Sequence, residues 1–140
     1  MQTMKRAVFF FLSAALFALC ARAEVLPSKV YVVANSDDPD SLAIADFYAS
    51  ARGIPKGNIV GLPMPKAGKI SKAEYFEKIE NPLVAELAKR GALKAVKLGG
   101  REPSGREIYS YVSHDIGFLV LCRGVPWGAV SYTHLTLPTI

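Results

Sequence analysis

Hydrophobic runs and turn residues divide the chain into segments that alternate between strand and helix. The apolar, β-branched run "KVYVVAN" (29–35) predicts a buried parallel strand. In the segment that follows, Asp38 is a predicted N-cap and Gly53 a predicted left-handed terminator, which indicates a helix over 39–52. The next apolar run, "NIVGLP" (58–63), predicts a second strand. Strand, helix and strand in this order form a βαβ unit with a parallel strand pair.

The second half of the pattern adds a helix, a hairpin and a further strand. "SKAE" (71–74) is a capping box that opens a helix, which Asn81-Pro82 is expected to interrupt before it stops at Gly91. "ALKAVKL" and "REIYSYVS", on either side of "GGREPSG", predict a β-hairpin outside the main sheet. "IGFLVLC" (116–122) predicts a third central strand with apolar side chains on both faces.

These elements predict an α/β fold, a three-layer parallel sheet of the βαβ type with a small β-hairpin insertion. The arrangement corresponds to half of a Rossmann-like or caspase-like layer. Three strands and two or three helices leave much of such a sheet uncovered. We therefore expect residues 24–129 to be the N-terminal part of a larger α/β domain, truncated here.

The first 23 residues have the plan of a secretory signal peptide. Lys5 and Arg6 precede an apolar run over 7–19, and Ala21 and Ala23 supply small residues for cleavage after Ala23. A membrane anchor is the alternative, but thirteen helical residues span only about 20 Å of a hydrocarbon core that is about 30 Å thick. We expect a secreted or periplasmic protein without a stable membrane span after cleavage.

Removal of this leader changes the charge and the cysteine count. Three of the 17 basic residues and none of the 12 acidic ones lie in it, which leaves 14 against 12 and a net charge of +2. No basic cluster with interleaved aromatic residues remains, so nucleic acid is not an expected partner. Cys122 is then the only cysteine, which excludes an intrachain disulfide, and its apolar strand predicts a buried thiol.

The end of the chain, "VSYTHLTLPT" (130–139), resembles a translation of the transposase mosaic-end adapter used in sequencing libraries. The match is continuous over ten residues. We therefore expect residues 130–140 to be adapter read-through and not native. His134 is accordingly not a candidate catalytic residue.

Candidate binding residues follow the predicted parallel strands, because ligands of open α/β sheets bind beyond the carboxyl ends of the strands. Asn35, Ser36 and Asp37 follow the first strand, and Arg123 follows the third. Arg123 is suited to a carboxylate or phosphate of a ligand. The structural alternative is that Asp38 and Asp40 cap a helix and that Arg123 pairs with Asp37. Catalytic residues are not assigned, and the sequence indicates no metal site and no cofactor.

Three segments, "VVANSDDPDSLAIADFYASARGIPKGNIVGLPMP", "ISKAEYFEKIENPL" and "FLVLCRGVPWG", resemble the start of an uncharacterised secreted bacterial family. That family occurs in genomes that carry exosortase, the enzyme associated with PEP-type C-terminal sorting signals. This sequence departs from the family pattern by an inserted Asp38 and by Trp127 where leucine is common. The resemblance implies an exported protein of unknown biochemical activity, associated with exosortase-type envelope-sorting or exopolysaccharide systems. We expect a ligand-binding or accessory role, with envelope-sorting or polysaccharide partners.

A more distant likeness to caspase-like and legumain-like peptidases implies the alternative function, that of a hydrolase. In those peptidases a catalytic His-Gly follows the third strand, whereas this chain has Arg123-Gly124 at that place. The catalytic residues of a hydrolase would therefore lie mostly outside this sequence. Whether the protein is an enzyme stays open at this point.

Overall fold

The computed structural model describes residues 26–130. The predicted signal peptide and all of the predicted read-through except Val130 lie outside these residues, so their assignment stays a prediction. The described part is an α/β structure with a three-stranded parallel sheet and an antiparallel hairpin, as the hydrophobic pattern predicts, and with a further two-stranded sheet that was not predicted. No helix in it is long and apolar enough to cross a membrane.

The predicted βαβ unit is present. Strand β1 (Val30–Asn35) leads into helix α1 (Pro39–Arg52), and strand β2 (Ile59–Leu62) pairs with β1 in parallel. Asp38 caps α1 by accepting a hydrogen bond from the Asp40 amide. Gly53 ends the helix with φ of +65°, a conformation that residues with a Cβ rarely adopt.

The remaining elements complete the main sheet and place a hairpin beside it. In chain order they are β3 (Lys69–Ser71), α2 (Lys72–Tyr75), a π-helical turn (Phe76–Glu80), α3 (Asn81–Lys89), β4 (Leu93–Arg101), β5 (Glu107–His114), β6 (Phe118–Leu121) and β7 (Gly128–Val130). Strand β6 pairs in parallel with β1, which gives the order β2-β1-β6. The hairpin of β4 and β5 is antiparallel and separate from this sheet, as expected.

The central strand β1 is covered on both faces, which gives the predicted three layers at the middle of the sheet. One face of β1 packs against the small residues Ala45 and Ala49 of α1. The opposite face packs against Ile79 and Leu87, which belong to the π turn and α3. All six residues of β1 are buried, as its apolar composition predicts for a central parallel strand.

The second helix differs from its predicted course. Asn81-Pro82 was expected to interrupt it, but the chain stays helical from Lys72 to Lys89 and widens to a π turn over Phe76–Glu80. The Asn81 amide donates to the Phe76 carbonyl, one residue further back than in an α-helix. Because proline lacks an N–H and its ring clashes with the carbonyl four residues earlier, a widened turn just before Pro82 accommodates it.

Asn81 also connects this helix to the hairpin through its side chain. Its side-chain amide donates to the Gly105 carbonyl (3.0 Å) and accepts from the Glu107 amide (3.0 Å). Nearby, Arg106 bonds to Glu80 at 2.6 Å. These contacts fasten the hairpin turn to the helix.

Strands β3 and β7, for which no strand was predicted, pair in parallel. Lys69 is opposite Gly128 and Ser71 is opposite Val130. This short pairing joins the loop after β2 to the loop after β6. It therefore helps to shape the surface at the carboxyl end of the main sheet.

Strand β6 is apolar on both faces but occupies an edge of the main sheet. Within residues 26–130 no strand pairs with its outer side. Phe118, Leu119 and Leu121 are 54%, 46% and 58% exposed. The predicted central strand thus has one neighbour among the described residues, and its apolar side chains face solvent.

Candidate functional site

The loops that follow the three parallel strands meet in one crevice. Each loop contributes lining: Asp38 after β1, Lys66 and Gly68 after β2, and Arg123 after β6. The crevice has a volume of about 260 Å³, and Trp127 forms part of its wall. In open parallel sheets, ligands bind beyond the carboxyl ends of the strands, where this crevice lies. Two cationic side chains and one carboxylate face it.

Asn35 holds these loops together from below. The residue is fully buried at the end of β1. Its Nδ2 donates to the carbonyls of Met64 (3.0 Å) and Gly124 (3.0 Å), and its Oδ1 accepts from the amides of Met64 (3.1 Å) and Asp37 (3.0 Å). Both donors and both acceptor positions of the side chain are therefore used within the protein.

The backbone N–H of Asn35 donates to Ser41 Oγ at 3.0 Å, which connects the end of β1 to the first turn of α1. Asn35 was predicted as a ligand-binding residue. The structure places it beneath the crevice, where it fixes the loops that carry the lining. Its contribution to binding would thus be to position other residues.

Gly124 allows the loop after β6 to pass close to the start of α1. Its φ is +91°, and a Cβ at this position would lie 2.7 Å from Asp38 Oδ2 and 3.2 Å from Ser41 Cβ. Any side chain would collide with the helix start. The glycine therefore permits the close approach of the β6 loop to Asp38 that forms the crevice.

Arg123 reaches the crevice with little internal pairing. Its Nη1 lies 4.0 Å from Asp40 Oδ2, and both side chains are 75% exposed. An ion pair at this distance in solvent contributes little. Asp37, the partner considered in the sequence analysis, is not its neighbour. The guanidinium can therefore bind an anionic ligand without losing a strong bond within the protein.

Ser36 and Asp37 lie apart from the crevice lining. The Ser36 amide continues the sheet by donating to the Leu62 carbonyl at 2.8 Å, and the residue is exposed. Asp37 lines a neighbouring pocket of about 250 Å³ together with Met64 and Lys78. Of the four predicted binding residues, Arg123 alone lines the crevice, and the ligand-binding role of the others stays a prediction.

Lys66, Gly68 and Trp127 were missed as site residues. Their loops are brought together by the β3–β7 pairing, which links segments far apart in the chain and carries little local sequence pattern. The Trp127 amide donates to the Gly68 carbonyl at 3.0 Å. The available indication was Trp127 itself, the only tryptophan of the chain, in the loop just after a strand end.

The described residues offer no activated nucleophile at this edge. Cys122 is buried, and burial raises the pKa of its thiol, so the thiol stays protonated. A catalytic cysteine requires the opposite shift. His114 lies at the end of the hairpin, with Nδ1 3.1 Å from the Ile116 carbonyl. Within residues 26–130 no group of three potential metal ligands occurs.

Two larger cavities have different characters. The first, of about 350 Å³, is an apolar groove beside the exposed strand β6, lined among others by Tyr48, Phe118 and Val120. The second, of about 520 Å³, lies between the hairpin and α3, and its cations Lys97 and Arg101 both pair with Glu107 at 2.8 and 3.1 Å. Because these cations already have a carboxylate partner, the smaller crevice is the better candidate for an anionic ligand.

Comparison with protein-family models, with curated proteins and with solved structures finds no match to this chain. The crevice combines a guanidinium with one long, exposed ion pair, an exposed indole and loops fixed by buried hydrogen bonds.

Proposed function

We propose that this chain is an exported ligand-binding protein, and that the crevice bounded by Asp38, Lys66, Arg123 and Trp127 binds an anionic group of its ligand. The observation that carries the proposal is the position of Arg123. It lies at the carboxyl end of a parallel strand, lines the crevice and has only a 4.0 Å contact with an exposed carboxylate. A carboxylate or phosphate can bind such a guanidinium through two parallel hydrogen bonds.

The charges of the lining favour an anion. Among the lining residues, Lys66 and Arg123 contribute two positive charges against the single carboxylate of Asp38. Asp40 lies 4.0 Å from Arg123 but outside the lining, and because this pair is exposed it offsets little of the Arg123 charge. The crevice therefore favours an anionic ligand over a neutral or cationic one.

The loops are arranged before a ligand arrives. Asn35 bonds to the loops after β1, β2 and β6, and no buried polar side-chain atom among the described residues lacks a partner. Ordering flexible loops costs free energy on binding, so loops already fixed by buried hydrogen bonds reduce that cost. This supports a binding site over an incidental surface depression.

Export and the biological setting are part of the proposal. The leader-like residues 1–23 support secretion after cleavage at Ala23, and the family resemblance supports a role beside exosortase-type sorting or exopolysaccharide systems. N-terminal sequencing of the protein expressed with its own leader tests the first point. We expect a chain that begins at Glu24, and a full-length chain retained in the membrane fraction would contradict export.

Binding is tested by the fluorescence of Trp127, since the only tryptophan lies in the crevice wall. Acetate and inorganic phosphate serve as probes for carboxylate and phosphate, with ionic strength held constant by chloride. We expect saturable changes in emission with at least one probe. The stronger response identifies the anionic group that the site prefers.

Two variants complete the experiment. Arg123→Gln should abolish the saturable change in emission. Lys56→Gln should retain it, because Lys56 is exposed in the turn that precedes β2, at the amino end of the parallel strands and away from the crevice. Equal responses in both variants, or no saturable response to either probe in the unmodified protein, would contradict an anion site in the crevice.

A further inference from the structure

Trp127 is held in place although most of its ring faces solvent. The residue is 74% exposed. Its amide and that of Gly128 both donate to the Gly68 carbonyl, at 3.0 and 3.2 Å, and Lys69 Nζ lies 5.1 Å from the ring centroid. Because this ring lines the crevice, its exposed apolar face is available to a ligand that binds there.

Gly68 sets the position of this ring. A Cβ at residue 68 would lie 2.7 Å from Trp127 Nε1, so a side chain there would displace the indole. The loop therefore brings the edge of the ring against backbone. Its remaining surface forms part of the crevice wall, beside Arg123 and Lys66.

From this arrangement we infer that the ligand is an acidic saccharide, with a sugar ring that packs on Trp127 and a carboxylate that binds Arg123. The inference rests on the proposed function and names its ligand class. A sugar ring has an apolar C–H face and a rim of hydroxyl groups. The indole matches the face, while Asp38 accepts hydrogen bonds from hydroxyls and Lys66 donates to them.

Size and charge separate this ligand from others. The crevice volume of about 260 Å³ lies just below the usual range of small-molecule sites, about 300–1,000 Å³, which suits one sugar unit and not a whole nucleotide. Asp38 is the only carboxylate of the lining, which is too few for a divalent cation. The two cations require a negative charge that a neutral sugar lacks.

The test compares three probes of matched length: α-1,4-linked trigalacturonate, its neutral methyl ester, and tri-aspartate peptide. Binding is measured by calorimetry, so that tryptophan variants are accessible, and acetate serves as the reference anion. We expect trigalacturonate to bind about tenfold or more tighter than acetate, the methyl ester and the peptide.

Variants then assign the two contacts. Trp127→Ala should weaken both trisaccharides, and Phe47→Ala, which removes an equally exposed aromatic ring on α1, should weaken neither. Arg123→Gln should remove the preference for trigalacturonate over its methyl ester. Because both Trp127 and Arg123 are largely exposed, neither substitution is expected to unfold the protein.

The outcomes separate this inference from the proposed function. If acetate binding depends on Arg123 but trigalacturonate binds no tighter than acetate, the saccharide is wrong and the anion site stands. Equal affinity for tri-aspartate, or trisaccharide binding that survives Trp127→Ala, would also overturn the saccharide. If no anion binds, both proposals are wrong.

Discussion

Replacement of Asn35 tests whether one buried amide holds the crevice together. Asn35→Ala removes all four side-chain hydrogen bonds to the loops after β1, β2 and β6. The two bonds to Met64 are buried, so the Met64 N–H and carbonyl both lose a partner that water does not readily replace. The bonds to Asp37 and Gly124 are only partly buried and add less.

The expected magnitude follows from these burial states. A buried polar group left without a partner costs about 1–3 kcal/mol, so the two Met64 groups together cost about 2–6 kcal/mol. We expect the free energy of unfolding to fall by about 3 kcal/mol. With a urea dependence of about 2 kcal/mol/M, the midpoint falls by about 1.5 M.

The assay is urea unfolding followed by far-ultraviolet circular dichroism, with Asn81→Ala as the matched control. The Asn81 side chain makes two hydrogen bonds, to Gly105 and Glu107. Both are only partly buried, unlike the two bonds between Asn35 and Met64. Loss of the Asn81 side chain should cost about 1 kcal/mol, less than that of Asn35, because water can reach the partly buried groups that lose their partner. If Asn35→Ala is no more destabilising than Asn81→Ala, the loops do not depend on Asn35.

Asn35→Asp adds a pH-dependent form of the same test. The carboxylate keeps the acceptor positions but faces the carbonyls of Met64 and Gly124, which disfavours its charge and raises its pKa in the folded state. The protonated acid can still donate one bond. This variant should therefore be most stable below the unfolded-state pKa of aspartate and lose stability as the pH rises through the folded pKa.

Three further predictions concern other parts of the described structure. Gly53→Val should cost about 1–2 kcal/mol, because φ is +65° there, whereas Gly57→Val, at a site equally open but without positive φ, should cost less; equal unfolding midpoints would contradict the strained C-cap. Bonds from Lys97, Tyr109 and Arg101 lower the pKa of Glu107 to about 2, so its stabilisation is complete above the usual carboxyl pKa and is lost as the pH falls towards 2; acid unfolding of Glu107→Gln should lack this component. Residues 24–140 should self-associate through the exposed edge strand β6, and Leu121→Lys should reduce this in sedimentation velocity more than the control Leu98→Lys on the hairpin; a monomeric unmodified chain would refute the association.

The parts of the fold that were predictable from sequence have local causes. Helix α1 begins and ends where Asp38 and Gly53 predict, because an N-cap and a left-handed terminator act within a few residues of their own positions. The capping box at Ser71 is present for the same reason, with Ser71 and Glu74 bonded in both directions. The hairpin was predictable from the alternation of its strands around a glycine-rich turn.

The parts that were missed depend on residues far apart in the chain. Asn35 and Arg123 both follow strand ends, but only the paths of the loops decide that one is buried beneath the crevice and the other lines it. Trp127 enters the site through the β3–β7 pairing, which three-residue strands do not reveal. The π turn before Pro82 was missed as well. A proline in a helical segment predicts an interruption, but it does not predict that a widened turn accommodates the proline and the helix continues.

The most direct test of the crevice as a binding site is a nuclear magnetic resonance titration with acetate, recorded on the backbone amides and on the indole N–H of Trp127. That indole signal is unambiguous, since the chain has one tryptophan. The account predicts that the largest saturable shifts are those of the Trp127 indole, Gly68 and Gly124. Largest shifts at Lys97 and Arg101 on the hairpin, or small uniform shifts over the whole chain, would contradict it.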